Sequence, residues 1–551
     1  MSYDFDLGPI GRTITTSSRQ AQKWFDRGLA WTYAFNHDEA TRCFNRAIEA
    51  DPECAMAHWG HAYAVGPNYN RQWDVFENYE LAPVTREAFE SSRRAARFAA
   101  NCSNVEKSLI QALQMRYQSA EPVADMQKWE FDYADVMRGV YSNNHDDVDV
   151  QVLFAEALMN RTPWTFWQRL SGDPLPGAAT VEAREVLEAG ILQREGSGEL
   201  PHPALLHMYI HLMEGSRWPE KALDAADALR RLAPDSGHLL HMASHIDLLC
   251  GRYAEALEAN TRAVAADKAY FGRENMTEYH VFYLFHNFHF MVFSAAFMGQ
   301  RKEALRAVEE MKALLPRELL QVERPPMANW LEAFRTIEMH VMIRFGMWSE
   351  ILDHPLPDDK ELYSATTVTA HFARAVALAA TGEAAAARRE VEMFDRAFER
   401  LPRGRRLLGG EYWNIVAIER EFMIGEVEFR EGNVESAFVR LRKAARMQDQ
   451  LEYEQAWASL LPVRHALGAL LLEKGLVEEA HDVYSEDLGF SHGAGRSCHR
   501  PDNVWALSGI VECLERMSED KRASELRPRL EAALELSDVP IRNSCCCRWP
   551  D

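Results

Sequence analysis

Apolar and polar positions along the chain recur almost throughout with the period of a helix, and almost nowhere with the period of two that marks a strand. The apolar stripes come in pairs around short turns, and glycine marks those turns at Gly251, Gly299, Gly346, Gly382, Gly432 and Gly475. Small residues stand shortly after several of them, at Ala256, Ala304, Ala437 and Ala480. The pattern predicts helix pairs from end to end and an all-α fold. It weakens over 70–140, which reads as helical but irregular in spacing. It breaks at 162–177, where Pro163, Pro174, Pro176 and Gly177 predict a non-helical connection. Segments 356–366 and 489–502 also read as loops. The chain thus divides into an arm (1–20), N-terminal repeats (21–177), central repeats (178–350), C-terminal repeats (351–535) and a tail (536–551).

A longer period lies over the helical one. Counting from Ala21, residues Gly28, Ala40, Phe44, Ala47 and Pro52 occupy positions 8, 20, 24, 27 and 32 of a 34-residue unit. Small residues let the two helices of a unit approach closely, Phe44 fills the gap between units, and proline stops the second helix. The template fits again over 203–236 with Ala222 and Pro234, over 237–270 with Gly251, Ala256 and Ala263, and from Phe285 onward with Ala304 and Pro316. This spacing resembles the tetratricopeptide repeat, and the resemblance covers most of the chain. It implies an α-solenoid, a superhelix of helix-turn-helix units that commonly serves as a scaffold for peptides, and it does not imply catalysis.

Histidine is placed in step with that period. The stretches are HPALLHMYIH from His202, GHLLHMASH from Gly237 and HNFHF from His286. His207 and His211 recur 34 residues later as His241 and His245. In the family that the chain resembles, positions 2, 5, 9 and 12 of the first helix face the concave groove. The resemblance therefore implies groove-facing His207, His211 and Glu214 in one unit and His238, His241 and His245 in the next. In later registers it implies the same of His286, His289 and His340. Residues four apart stand one above the other on a helix, and packed helices lie ~8–10 Å apart, so such imidazoles are able to share a metal. Two triads can be drawn, His202/His207/His211 and His238/His241/His245, with His286 and His289 as further ligands. Glu214 is expected to orient a ligand or move protons, and Asp247 supplies another carboxylate. A single histidine on an apolar helix face is ordinarily a packed core residue. His58 and His61 are read that way, His37 as a helix-end group, and the isolated His465 is set aside. Helix packing does not require histidine twice, one period apart.

An all-nitrogen shell suits transition metals, whereas magnesium and calcium favour oxygen ligands. Copper is the first expectation, with zinc or iron as alternatives. The ligand number is similar to that of type 3 dicopper proteins, although the scaffold is not. The expected activity is that of a metal-dependent oxidoreductase acting on a small, partly aromatic molecule. Such a molecule would be enclosed by Tyr209, Tyr279, Tyr283, Phe285, Phe288, Phe290, Trp164 and Trp167. A non-catalytic scaffold binding a peptide or protein partner is the alternative, and metal storage is a third reading. The chain carries no P-loop and no strand-borne G-x-G-x-x-G.

Charge and composition narrow the partners. With 61 Lys and Arg against 83 Asp and Glu, the net charge of −22 argues against a nucleic-acid or anionic-membrane surface. Residues 1–12 lack a basic start followed by an apolar run, so a cytoplasmic protein is expected. The apolar stretch 281–298 approaches spanning length, yet it contains His286, Asn287 and His289, which are costly in lipid. Nine cysteines without metal-finger spacing, Cys43 and Cys54 among them, read as reduced thiols. Cys545, Cys546 and Cys547 fall in what reads as a frayed tail.

Overall fold

The computed structural model describes residues 3, 5–451, 460–491 and 495–548. Helix occupies 67 % of the chain and strand 1 %, so the all-α expectation holds. The only strands among the described residues are Arg406–Leu407 and Gly410–Glu411, paired as a small antiparallel hairpin. No described helix is long and apolar enough to cross a membrane.

The chain forms two compact units. The first comprises Met1–Ile246 and Arg262–His280, the second Asp247–Thr261 and Val281–Asp551. In the first unit, consecutive helices pack on one another from Arg19–Tyr33 and His37–Ala50 through Ala55–Val65, Asn78–Phe98, Asn104–Arg116, Gln127–Asn143, Val148–Met159 and Thr180–Ser197 to Pro203–Met213. Polar side chains start several of them by accepting from orphan backbone N–H groups, Ser18 from Ala21, Asn36 from Glu39 and Asp147 from Val150. The stretch over 70–140 is mostly helical, as Asn78–Phe98, Asn104–Arg116 and Gln127–Asn143, with non-helical segments at 70–77 and 117–126. The segment between Met159 and Thr180 is irregular, with an isolated bridge between Trp167 and Pro174.

Close approach of small residues sets the spacing of successive helices. The Phe44 ring is wedged so tightly that a Cβ on Gly28 would lie 2.7 Å from it and one on Gly60 2.3 Å. Phe44 is fully buried, and removing such a ring costs about 3–5 kcal/mol. The same device recurs in the second unit, where the Tyr484 ring would meet a Cβ on Gly468 or on Gly509 at 2.4 Å.

The second unit runs from Val281–Phe297 through helices that include Ser364–Ala380, Ala384–Phe398, Tyr412–Arg430, Val434–Asp449, Val463–Glu473 and Val477–Leu488 to Val504–Arg516 and Asp520–Glu535. The apolar run predicted at 281–298 is the buried helix Val281–Phe297. The loop expected at 356–366 ends earlier, because a helix starts at Ser364. Within the loop expected at 489–502, Arg496–Cys498 is a 3₁₀ turn, and 492–494 lie outside the described residues.

The tail departs from expectation. Ser544, Cys547 and Arg548 are buried. Ser544 Oγ donates to the His465 carbonyl at 2.8 Å, and Arg548 Nη1 pairs with Glu512 at 2.7 Å. A disulfide joins Cys545 to Cys547, while the other described cysteines are not disulfide-bonded. The tail is held because its polar groups find partners on helices far away in sequence, which no local pattern reveals.

Candidate metal centre

Pro203–Met213 carries His207 and His211, and Gly237–Leu249 carries His238, His241 and His245. Proline at the first position of Pro203–Met213 suits its start, where no N–H is needed. At Gly237 a side chain would strike the Asp267 carboxylate, since a Cβ there would lie 2.1 Å from it.

Three imidazoles converge within the first unit. His207, His211 and His238 each offer a ring nitrogen such that the three atoms lie within 4.8 Å of one another. His207 directs Nδ1 to the Tyr33 carbonyl at 2.8 Å, and its Nε2 lies 3.1 Å from His238 Nε2. His211 directs Nδ1 to Glu214 Oε1 at 3.0 Å, while its buried Nε2 has no hydrogen-bond partner. Anchoring one ring nitrogen on a carbonyl or carboxylate and leaving the other inward is how proteins orient metal-binding histidines. The second oxygen of Glu214 bonds His245 Nδ1, and His245 Nε2 lies 2.8 Å from His241 Nε2. One carboxylate thus links the trio to an adjacent histidine pair.

All five rings and Glu214 are buried, at most 2 % exposed. They do not line an open groove, which corrects the expectation taken from the repeat family. The cause is an aromatic cover. The Phe35 ring lies 4.5 Å from that of His207, 5.4 Å from His238 and 5.9 Å from His211, and Tyr69 and Trp164 pack on His211 at 4.8 and 5.6 Å. Burial pushes His207, His211 and His245 down to about 3 and His238 well below its ordinary value. These four rings are therefore neutral near pH 7, the protonation state in which imidazole binds a metal.

The grouping differs from the two triads drawn on the sequence. His238 joins His207 and His211, because its place at the start of the second helix brings it level with them. His202 stands outside the trio: it precedes Pro203–Met213 without a side-chain capping hydrogen bond, its ring packs on Tyr33 at 5.8 Å, and its buried Nδ1 has no hydrogen-bond partner. His286 and His289 lie on Val281–Phe297 and Asp247 pairs with Arg252 at 3.5 Å, all in the second unit. There too His340 pairs with Glu419 at 2.6 Å, and His465 is held by Asp487 and Arg344, each at 2.9 Å. His58 bonds the Pro52 carbonyl, His61 bonds Ser91, and His37 bonds the Ala64 carbonyl.

Of the aromatic residues expected to enclose a substrate, Trp164 reaches the histidines, and Trp167 donates to the Leu212 carbonyl at 2.6 Å. Tyr209 turns to Glu188 and Tyr279 to the Asn70 carbonyl, both at 3.1 Å, while Tyr283, Phe285, Phe288 and Phe290 belong to the second unit. Sequence reasoning missed Phe35 and Tyr69. A signal existed for Phe35: the turn between the first two helices carries no glycine, yet Phe35 adopts φ +57°. That left-handed backbone costs about 1–2 kcal/mol for a residue with a Cβ. Trp164 is also left-handed, at φ +59°.

No protein-family model and no curated protein matches the chain. Among solved structures it is similar to yeast Tom70, at 11 % identity over 94 % of this chain and 99 % of that one, with a TM-score of 0.30. It is similar also to human IFIT1, solved as a dimer with m7Gppp-AAAA, at 12 % identity over 96 % and 92 % with a TM-score of 0.32. Ypp1 gives 9 % identity over 96 % and 89 %, with a TM-score of 0.37. Scores this low carry no functional argument, and the site has to be read from its own geometry.

Proposed function

We propose that the protein is a non-catalytic helical-repeat scaffold for a peptide or protein partner, and that its first unit is organised by one transition-metal ion on His207, His211 and His238. The observation that carries the metal is the buried His211 Nε2, without a hydrogen bond and beside two further neutral imidazoles. Glu214 holds His211 in the ligand tautomer, and the Tyr33 carbonyl does the same for His207. Burial under Phe35, Tyr69 and Trp164 supports a stabilising ion over one exposed for turnover. Copper remains the first expectation for three nitrogens, with zinc or iron next.

One observation favours the oxidoreductase reading. Three histidine ligands leave a tetrahedral ion an open position, the arrangement of catalytic sites. In that reading a small aromatic substrate enters beside Trp164, and Glu214 moves the proton.

The test is metal content per chain in protein purified without an affinity tag. With the Cys545–Cys547 disulfide intact, near-stoichiometric metal is expected, falling below about a tenth in a His207→Ala/His238→Ala double variant that keeps its helical circular dichroism. Full metal content in that variant would overturn the ligand set. Dioxygen uptake with phenolic substrates by the loaded chain would replace the scaffold with the redox reading.

A further inference from the structure

The second unit contains another group of metal-binding side chains. Glu426, on Tyr412–Arg430, is 3 % exposed, and its buried Oε1 has no hydrogen-bond partner. Cys545 and Cys547 reach it from the C-terminal segment, and a carboxylate oxygen and the two sulfurs lie within 4.8 Å of one another. The two sulfurs are bonded to each other in the structure.

The segment is fixed on both sides of the pair by contacts that involve no sulfur. Ser544 Oγ lies 2.5 Å from the Tyr484 hydroxyl and donates to the His465 carbonyl. Arg430 donates to the Cys547 carbonyl, and Arg548 pairs with Glu512. Cys546 turns away, with its Sγ 3.6 Å from the Arg344 carbonyl. Opening the disulfide therefore leaves both sulfurs beside Glu426. Arg430 does not contribute an unmet charge there, since it pairs with Glu473.

We propose that Cys545, Cys547 and Glu426 form a site for a soft divalent cation of the zinc class, available when the Cys545–Cys547 bond is reduced. Opening that bond takes two electrons and two protons, supplied by a dithiol that itself becomes a disulfide. Binding then releases three protons, two from the thiols and one from the buried, neutral Glu426 carboxyl. Two thiolates and a carboxylate make three of the four ligands that zinc takes, and water completes the shell. Thiolates select such ions over magnesium and calcium.

The test uses the full metal-free chain with cobalt(II) as the probe, after reduction by a phosphine and again after reoxidation. Thiolate-to-cobalt charge-transfer absorption is expected in the reduced chain only, and cobalt taken up by the histidines does not produce it. The absorption should vanish in Cys545→Ser and Cys547→Ser, and Glu426→Gln should weaken cobalt binding about tenfold or more. A reduced wild-type chain without this absorption would overturn the proposal, and so would absorption that persists in both serine variants. The oxidised and reduced forms of one sequence make the comparison independent of whether a variant folds.

Discussion

The histidine group of the first unit and the Cys545/Cys547/Glu426 group of the second gather potential ligands in opposite ways. The histidines come from two neighbouring helices, where the repeat period sets His207 and His211 equivalent to His241 and His245 and His238 joins from the start of the second helix, and burial keeps the rings neutral. The cysteines come from a docked segment, and burial holds the Glu426 carboxyl in its neutral form, pushed up to about 8. Desolvation acts on both groups in the same sense, against charge. Its consequence for stability is opposite, because an imidazole gains charge on protonation and a carboxyl loses it.

The largest expected effect follows from that opposition. In the metal-free chain, His207, His211 and His245 stand near 3 against an ordinary value of 6.5, so unfolding takes up protons between those limits. Stability should be full above about pH 6.5 and fall with acidification, by as much as roughly 4 kcal/mol per pH unit for three protons. Glu426 runs the other way. Its contribution is full below 4.5 and is lost as pH rises toward 8, and Glu426→Gln should remove that alkaline loss. Urea midpoints across this range check both arms. A midpoint unchanged between about pH 7 and pH 5 would mean that the histidines are not held neutral by burial.

A smaller effect sharpens the metal side of the comparison. Glu214→Gln keeps the shape but removes the charge that orients His211 and His245, so metal affinity should fall about 10–100-fold. Competition with a chelator measures it. An unchanged affinity would leave Glu214 as a packing residue and weaken the case for the trio.

Much of the first group is legible in the sequence, because a period of 34 residues carries both the helix pairs and the histidines upon them. The wedge of Phe44 between Gly28 and Gly60 is legible for the same reason: small and large residues recur at fixed offsets. Legibility stops where contacts join distant segments. Nothing local tells that His202 packs on Tyr33, or that Tyr69 and Trp164 close over His211, or that Ser544 and Arg548 anchor the tail. Those placements depend on which surfaces meet after the helices have formed.

The turn at Phe35 tests the cover over the histidines with the smallest expected change. At Gly251, Gly299, Gly346, Gly382, Gly432 and Gly475 the chain takes positive φ with glycine, at no steric cost. Phe35 takes it with a bulky side chain, and the cost persists because the ring is seated against His207, His211 and His238. Phe35→Ala and Phe35→Gly both lose the ring, but only the glycine variant also relieves the backbone. Phe35→Gly should therefore be the more stable of the two by about 1–2 kcal/mol. At Gly432, where φ is +88° and nothing lies within 4 Å of an added Cβ, Gly432→Ala isolates the same backbone cost without any change in packing. Denaturation midpoints of the three variants give both numbers. If the Phe35 variants are equally stable while Gly432→Ala is destabilised, the left-handed turn relaxes once the ring is gone, and the histidine cover alone keeps Phe35 in its conformation.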